Sequence, residues 1–161
     1  MSNLLNACDW AGKALADGWQ TLSGGEISVM EPATGDVLAR VARAGAEDVS
    51  ASAATAKAAQ KAWAAMPYGE RAKIFRKAAQ LLEANRDDYA TWIIREAGSV
   101  RPKAMFEIDS VLHLCHEAAA MLTQPRGLVL PSHEGVSSIA RRVPHGVVGV
   151  ITPFNFPFLL T

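Results

Sequence analysis

Apolar residues recur at spacings of three and four along three long stretches of the chain. Shorter stretches between them alternate or run together. From Glu47 to Ala65 an alanine-rich segment repeats Val49, Ala53, Ala56, Gln60 and Trp63 on one narrow face, which predicts a helix packed through small residues. Glu47 and Asp48 fall in its first turn, where negative charge complements the helix dipole. Pro67 opens a second helix, whose stripe Ile74, Ala78, Leu81, Leu82, Tyr89, Trp92 and Ile93 runs unbroken to a stop at Gly98. Lys73, Lys77, Glu83, Arg86 and Asp87 take the opposite, solvated side. Pro102 opens a third helix carrying Met105, Phe106, Val111, Leu112, Cys115, Ala119 and Leu122, and Gln124-Pro125-Arg126-Gly127 ends it. Glu26 to Met30 and Val37 to Val41 read as strands joined through Pro32-Ala33-Thr34-Gly35. Gly127 to Leu130 and Val136 to Val143 read as a second pair around Pro131-Ser132-His133-Glu134-Gly135. The last apolar run, Val147-Val148-Gly149-Val150-Ile151, is opened by Pro144-His145-Gly146 and closed by Pro153. A β-branched run between turn signals predicts a strand buried on both faces, the hallmark of a parallel sheet in an α/β fold. Residues 1–25 show no clear period, with Trp10, Leu15 and Trp19 scattered ahead of a turn at Gly24-Gly25.

Composition narrows the class. With 161 residues, half of them hydrophobic, the chain can bury the core of one domain and is not disordered. Lys and Arg number 16 and Asp and Glu 16, so no basic footprint points to nucleic acid. Cys8 and Cys115 make no disulfide framework and suit a reducing compartment such as the cytoplasm. The first residues carry Asp9 and no basic stretch ahead of an apolar one, so no signal peptide is expected, and no apolar run is long enough to span a membrane.

Three groups invite a chemical reading and give a plainer one. His113 and His116 stand three apart beside Cys115 and Glu117, but no third ligand is indicated, so they read as surface histidines and no metal is expected. Cys115 falls on an apolar stripe, which suits packing better than a nucleophile that needs a base and a lowered pKa. Gly146-Val147-Val148-Gly149 precedes its strand, whereas a phosphate-binding glycine loop follows one, so these glycines read as turn residues. Asn155 is different. It lies just past the carboxyl end of the expected strand, where α/β sheets bind their ligands, and bears the only carboxamide between Thr152 and Thr161. Pro153 and Pro157 stiffen the loop around it, as a preorganised hydrogen-bond donor requires. Its plainer role is to cap a helix or close an Asx-turn.

At these residues the chain resembles a family. Pro144-x-Gly146-Val147-Val148-Gly149-x-Ile151-x-Pro153-Phe154-Asn155-Phe156-Pro157 is similar to the signature of the NAD(P)-dependent aldehyde dehydrogenases, with Phe154 where most members carry Trp. Glu31-Pro32-Ala33-Thr34-Gly35-Asp36-Val37 resembles the family's early hairpin, with Glu31 where Asn is usual, and Glu70 to Ala79 resembles its second helix. Glu96 to Glu107 resembles the benzaldehyde and vanillin dehydrogenase branch, with Gly98-Ser99 where Gly-Lys is more usual.

The resemblance implies an α/β fold: helices and edge strands leading into the first strand of a Rossmann-like sheet. Residues 1–161 would form a truncated N-terminal part of the cofactor-binding domain, with 124–144 an oligomerisation hairpin. The apolar ending Phe158-Leu159-Leu160-Thr161 also reads as a truncation. The implied reaction oxidises an aldehyde, an aromatic one by the branch resemblance, to a carboxylic acid with NAD or NADP, NAD being favoured. Asn155 would donate to the oxyanion. Ile151, Thr152, Pro153 and Phe154 would lie along the cofactor, and Phe156 would flank the substrate. The nucleophile, the carboxylate that activates water and the helix that meets the pyrophosphate would lie beyond Thr161. The whole enzyme would be a cytoplasmic homo-oligomer, and these residues alone would be inactive. A reading of another class is a non-catalytic helical interaction module of the same descent, which the reading frame beyond residue 161 would distinguish.

Overall fold

The computed structural model describes residues 7–161; the first six residues, on which part of the signal-peptide expectation rests, lie outside them. A short helix α1 (Ala7–Trp10) leads into a small antiparallel hairpin, β1 (Ala14–Ala16) and β2 (Gly18–Gln20). A second hairpin follows, β3 (Glu26–Met30) and β4 (Val37–Ala42), with a register shift at Val29/Met30. Four helices come next: α2 (Ala46–Ala65), α3 (Tyr68–Ala84), α4 (Arg86–Ala97) and α5 (Arg101–Met121). The third hairpin is β5 (Gly127–Leu130) with β6 (Ser138–Arg141). Every sheet among the described residues is a two-stranded antiparallel hairpin.

The core lies where α5 packs along α3 and α4. Leu82, Ala90, Ile93, Ala104 and Ile108 form it, and Tyr89, Met105, Val111, Leu112 and Phe158 close over it. Alanines on α3, α4 and α5 (Ala79, Ala90 and Ala104) bring the helices into close approach. α5 buries Ala104, Glu107 and Ile108 beside Ala119 of the expected stripe, and Met105, Val111 and Leu112 of that stripe pack against the core, whereas Phe106 is 56% exposed.

Two further elements depart from the pattern. The long helix expected from Pro67 to Gly98 is broken at Asn85, which has φ −126° and ψ 27°. Its side-chain amide donates to the Leu81 carbonyl at 2.7 Å and its backbone carbonyl accepts from Asp88 and Tyr89 at 3.1 Å, so the side chain competes with the helical ladder and the next helix starts afresh. Arg86 is not merely solvated: it pairs with Glu83 at 2.8 Å and with Asp109 of α5 at 2.5 Å. The run Val147–Ile151, expected as a buried strand, makes no ladder here. It has no strand partner among the described residues, and Ile151 is 99% exposed. A strand holds its shape through its neighbours' hydrogen bonds, and periodicity reports the burial it is suited to, not the presence of the sheet.

α2 has no buried residue, although its alanine face is suited to packing. Its start is held by Asp48, whose Oδ2 accepts from the Gly45 backbone N–H at 2.8 Å and from the Ser23 N–H and hydroxyl at 2.9 and 2.5 Å. These bonds, the Ser23 hydroxyl first, hold the Asp48 carboxyl below its ordinary pKa. The β3–β4 hairpin is tied to α4 by a fork, Arg95 donating to both oxygens of Glu31 at 3.0 and 2.7 Å. That pair lowers the pKa of Glu31 and raises that of Arg95. Among the described residues no helix is long and apolar enough to cross a membrane.

Candidate functional site

The loop around Asn155 follows Pro153 and ends in one helical turn. The Phe156 N–H donates to the Pro153 carbonyl at 3.3 Å, and the Leu160 N–H donates to the Phe156 carbonyl at 3.2 Å. Phe156 is therefore the cap position of that turn and Pro157 its first residue, where a missing N–H is no loss. Phe156 has no side-chain acceptor, so the next two N–H groups need a partner from elsewhere. Glu107 supplies it: its Oε2 accepts from the N–H of Phe158 at 3.1 Å and of Leu159 at 3.2 Å. Glu107 is fully buried, and its Oε1 accepts a hydrogen bond from Lys103 one turn earlier on α5. The Lys103 ammonium also lies 4.8 Å from the centre of the Phe156 ring.

Aromatic contacts fix the loop on both flanks. Phe106 meets Phe156 edge-on with ring centres 6.3 Å apart, and Tyr89 stacks on Phe158 at 5.3 Å. On one side, a mostly apolar cleft of about 570 Å³ is lined by Trp10, Trp19, Tyr89 and Trp92 together with Thr152 and Phe154. Trp10 and Trp92 meet edge-on there, 5.8 Å apart.

The residues singled out from the sequence do not all converge. Thr152 and Phe154 face the aromatic cleft, whereas Phe156 turns to Phe106 and Lys103. Ile151 and Pro153 are exposed, and neither Ile151 nor Thr152 makes a backbone hydrogen bond to the described residues. Asn155 is exposed, and no hydrogen bond to the described residues engages its side-chain amide. The amide is thus not committed to a cap or an Asx-turn. Cys115 is half-buried on α5, and His113 stands 3.9 Å from Glu117 on the exposed side of the same helix.

Glu107 and Lys103 escaped the sequence reading. Glu107 does leave one trace there: it lies three residues after Ala104 and four before Val111, a lone carboxylate inside an apolar stripe. A carboxylate at such a position is buried only if it is paired, which marks it for a specific partner.

Comparison with known proteins places these features in one family. The sequence profile of the aldehyde dehydrogenase family matches residues 19–161. A vanillin dehydrogenase from Amycolatopsis is 47% identical over 152 residues, 94% of this chain and 31% of that protein. A benzaldehyde dehydrogenase [NAD(+)] from Pseudomonas putida is 43% identical over 152 residues, with the same shares. The crystal structure of an NAD-dependent benzaldehyde dehydrogenase from Corynebacterium glutamicum superposes with a TM-score of 0.86 at 35% identity, covering 97% of this chain and 34% of that one. The chain spans about a third of the length of these relatives.

Proposed function

Because the chain belongs to the aldehyde dehydrogenase family, and has the N-terminal part of that fold, we propose that the protein it builds oxidises an aldehyde to a carboxylic acid with NAD or NADP. Asn155 is its oxyanion donor. The observation that carries this reading is the uncommitted amide of Asn155, exposed on a loop held by Pro153 and Pro157. Attack of a thiolate on the carbonyl carbon places nearly a full negative charge on the oxygen. A fixed neutral donor gains more from that oxyanion than from the aldehyde, which is the condition for lowering the barrier. The thiolate comes from outside these residues, since Cys115 packs on α5 and Cys8 lies in α1, neither on the Asn155 loop.

The free peptide groups of Ile151 and Thr152, with the exposed faces of Pro153 and Phe154, fit a segment along which an elongated dinucleotide lies. When bound, the nicotinamide accepts the hydride. The residues that would hold it, Ile151, Thr152, Pro153 and Phe154, lead directly into Asn155. NAD is favoured because the similar benzaldehyde dehydrogenases are named for it. An aromatic aldehyde is favoured on two grounds: the vanillin and benzaldehyde dehydrogenases among the relatives, and the Phe106–Phe156 pair, which offers ring edges to a flat substrate. A reactive thiolate suits the reducing cytoplasm. The β5–β6 hairpin, within residues 124–144 of this part of the cofactor-binding domain, is the oligomerisation arm: Leu128, Val129 and Ile139 are exposed on it, with Val129 at 81%.

The test is Asn155→Ala in the full-length enzyme. It should lower kcat by on the order of 10²–10³ while cofactor affinity holds. A kcat within a few-fold of wild type, with only the melting temperature reduced, would make Asn155 a loop residue. In the same enzyme kcat/KM should favour benzaldehyde over hexanal, and the reverse preference would sink the aromatic assignment.

A further inference from the structure

We propose that Glu107 is a positioning residue for the reaction: it caps, from α5, the helical turn that follows Asn155, and so sets the aim of the Asn155 amide. The proposal rests on the oxyanion role of Asn155. A helical turn leaves its first N–H groups without partners, and the residue that begins it normally satisfies the second and third with its own side chain. Phe156 cannot do so, and Pro157 follows it. The two donors that need a cap are those of Phe158 and Leu159, and one oxygen of Glu107 takes both. The negative charge lies at the positive end of the turn's peptide dipoles. It is fully buried, so its removal would leave the two half-buried donors without their acceptor.

The coupling to Asn155 is short. Asn155 precedes the cap position by one residue, and the Phe156 N–H closes the turn back to Pro153. The stretch from Pro153 to Leu160 is therefore one hydrogen-bonded unit, anchored to the rest of the chain through Glu107 and through the rings of Phe156 and Phe158. Lys103 completes the anchor. Its ammonium satisfies the other oxygen of Glu107 and rests over the ring beside Asn155. Ring contacts restrain the loop's position but permit it to roll, whereas two hydrogen bonds to one oxygen fix its rotation. A misplacement of about 1 Å is enough to cost on the order of 10²-fold in rate.

The experiment is a double-mutant cycle in the full-length enzyme: Glu107→Ala, Asn155→Ala and the pair together, read as kcat at saturating cofactor and as cofactor Kd. Glu107→Ala should lower kcat by about 10²-fold with cofactor Kd unchanged. The double variant should be no slower than Asn155→Ala alone, because misaiming an absent amide has no further effect. Glu107→Gln retains an acceptor oxygen and most of the volume, so it should return kcat to within about tenfold of wild type. Losses that multiply in the double variant would show that Glu107 acts elsewhere and overturn the proposal. A wild-type kcat in Glu107→Ala beside a slow Asn155→Ala would overturn it alone, while a wild-type kcat in Asn155→Ala would overturn both this and the oxyanion reading. If Glu107→Ala fails to fold, Glu107→Leu, which fills the volume but offers no acceptor, takes its place in the cycle with the same expected losses.

Discussion

Gly98 closes α4 in the left-handed region, with φ 64°, and an added Cβ would stand 3.3 Å from the Pro32 ring. Both the backbone and the neighbour oppose a side chain there, so Gly98→Ala should destabilise the protein by about 1–2 kcal/mol, read from thermal unfolding. Asn155 poses a sharper test of chemistry at the same scale. Asn155→Asp conserves shape and reverses the electrostatics, since a carboxylate repels the oxyanion an amide would hold. It should slow turnover at least as much as Asn155→Ala, and an Asp variant faster than the Ala variant would contradict the donor role. Asn155 and Gly98 could be marked from the sequence because each is defined by its immediate neighbours: prolines on one side and the other, or the end of a periodic run. Glu107 could not. Its partners lie 51 and 52 residues away, and nothing local announces that the turn beginning at Phe156 lacks a cap of its own.

Among the elements, the β3–β4 hairpin formed as the Pro-Ala-Thr-Gly turn chemistry dictates, and α2 and α5 start and stop within a residue or two of their signals. The break at Asn85 was not legible because the apolar stripe continues on both sides of it and only the competing side-chain bond to Leu81 interrupts the ladder. Two carboxylates join elements and carry a pH dependence. Asp48 links the start of α2 to Ser23, and Glu31 links β3–β4 to α4. Each has a folded-state pKa lowered by its bonds. Such groups contribute stability that is fully present above their unfolded pKa and is lost as pH falls through the lowered folded value. The melting temperature should therefore be flat from neutral pH down to about pH 5 and fall below it. Glu31→Gln together with Asp48→Asn should flatten that acid limb while lowering the neutral-pH melting temperature by a few degrees; an unchanged limb would assign the acid sensitivity to other carboxylates.

At the scale of the molecule, surface area is the telling quantity. The chain exposes 11694 Å², whereas a compact protein of 17.2 kDa would expose about 7,800 Å². The described residues bury only nine apolar side chains, six of them alanines. The 161 residues by themselves should therefore aggregate or melt without a sharp transition, and should oxidise no aldehyde. A monodisperse monomer with cooperative unfolding, or turnover that survives alkylation of both cysteines, would count against this. The exposed hairpin adds a prediction for the whole enzyme. Leu128→Asp with Val129→Asp should lower the oligomeric state in analytical ultracentrifugation, and an unchanged assembly would remove the arm assignment.

The three hairpins, each closing on its neighbour in the chain, have a consequence in time. Short-range pairings of this kind form quickly and need no distant segment, so this part of the protein can acquire its local structure while still being synthesised. Val147–Ile151 is the exception, apolar and without a strand partner among the described residues. Translation proceeds at roughly 5–20 residues per second, so each further hundred residues that must emerge before a partner strand arrives leaves this segment waiting for about 5–20 s. During that interval it is a sticky β-branched edge, and the yield of soluble enzyme should depend on chaperones that occupy it.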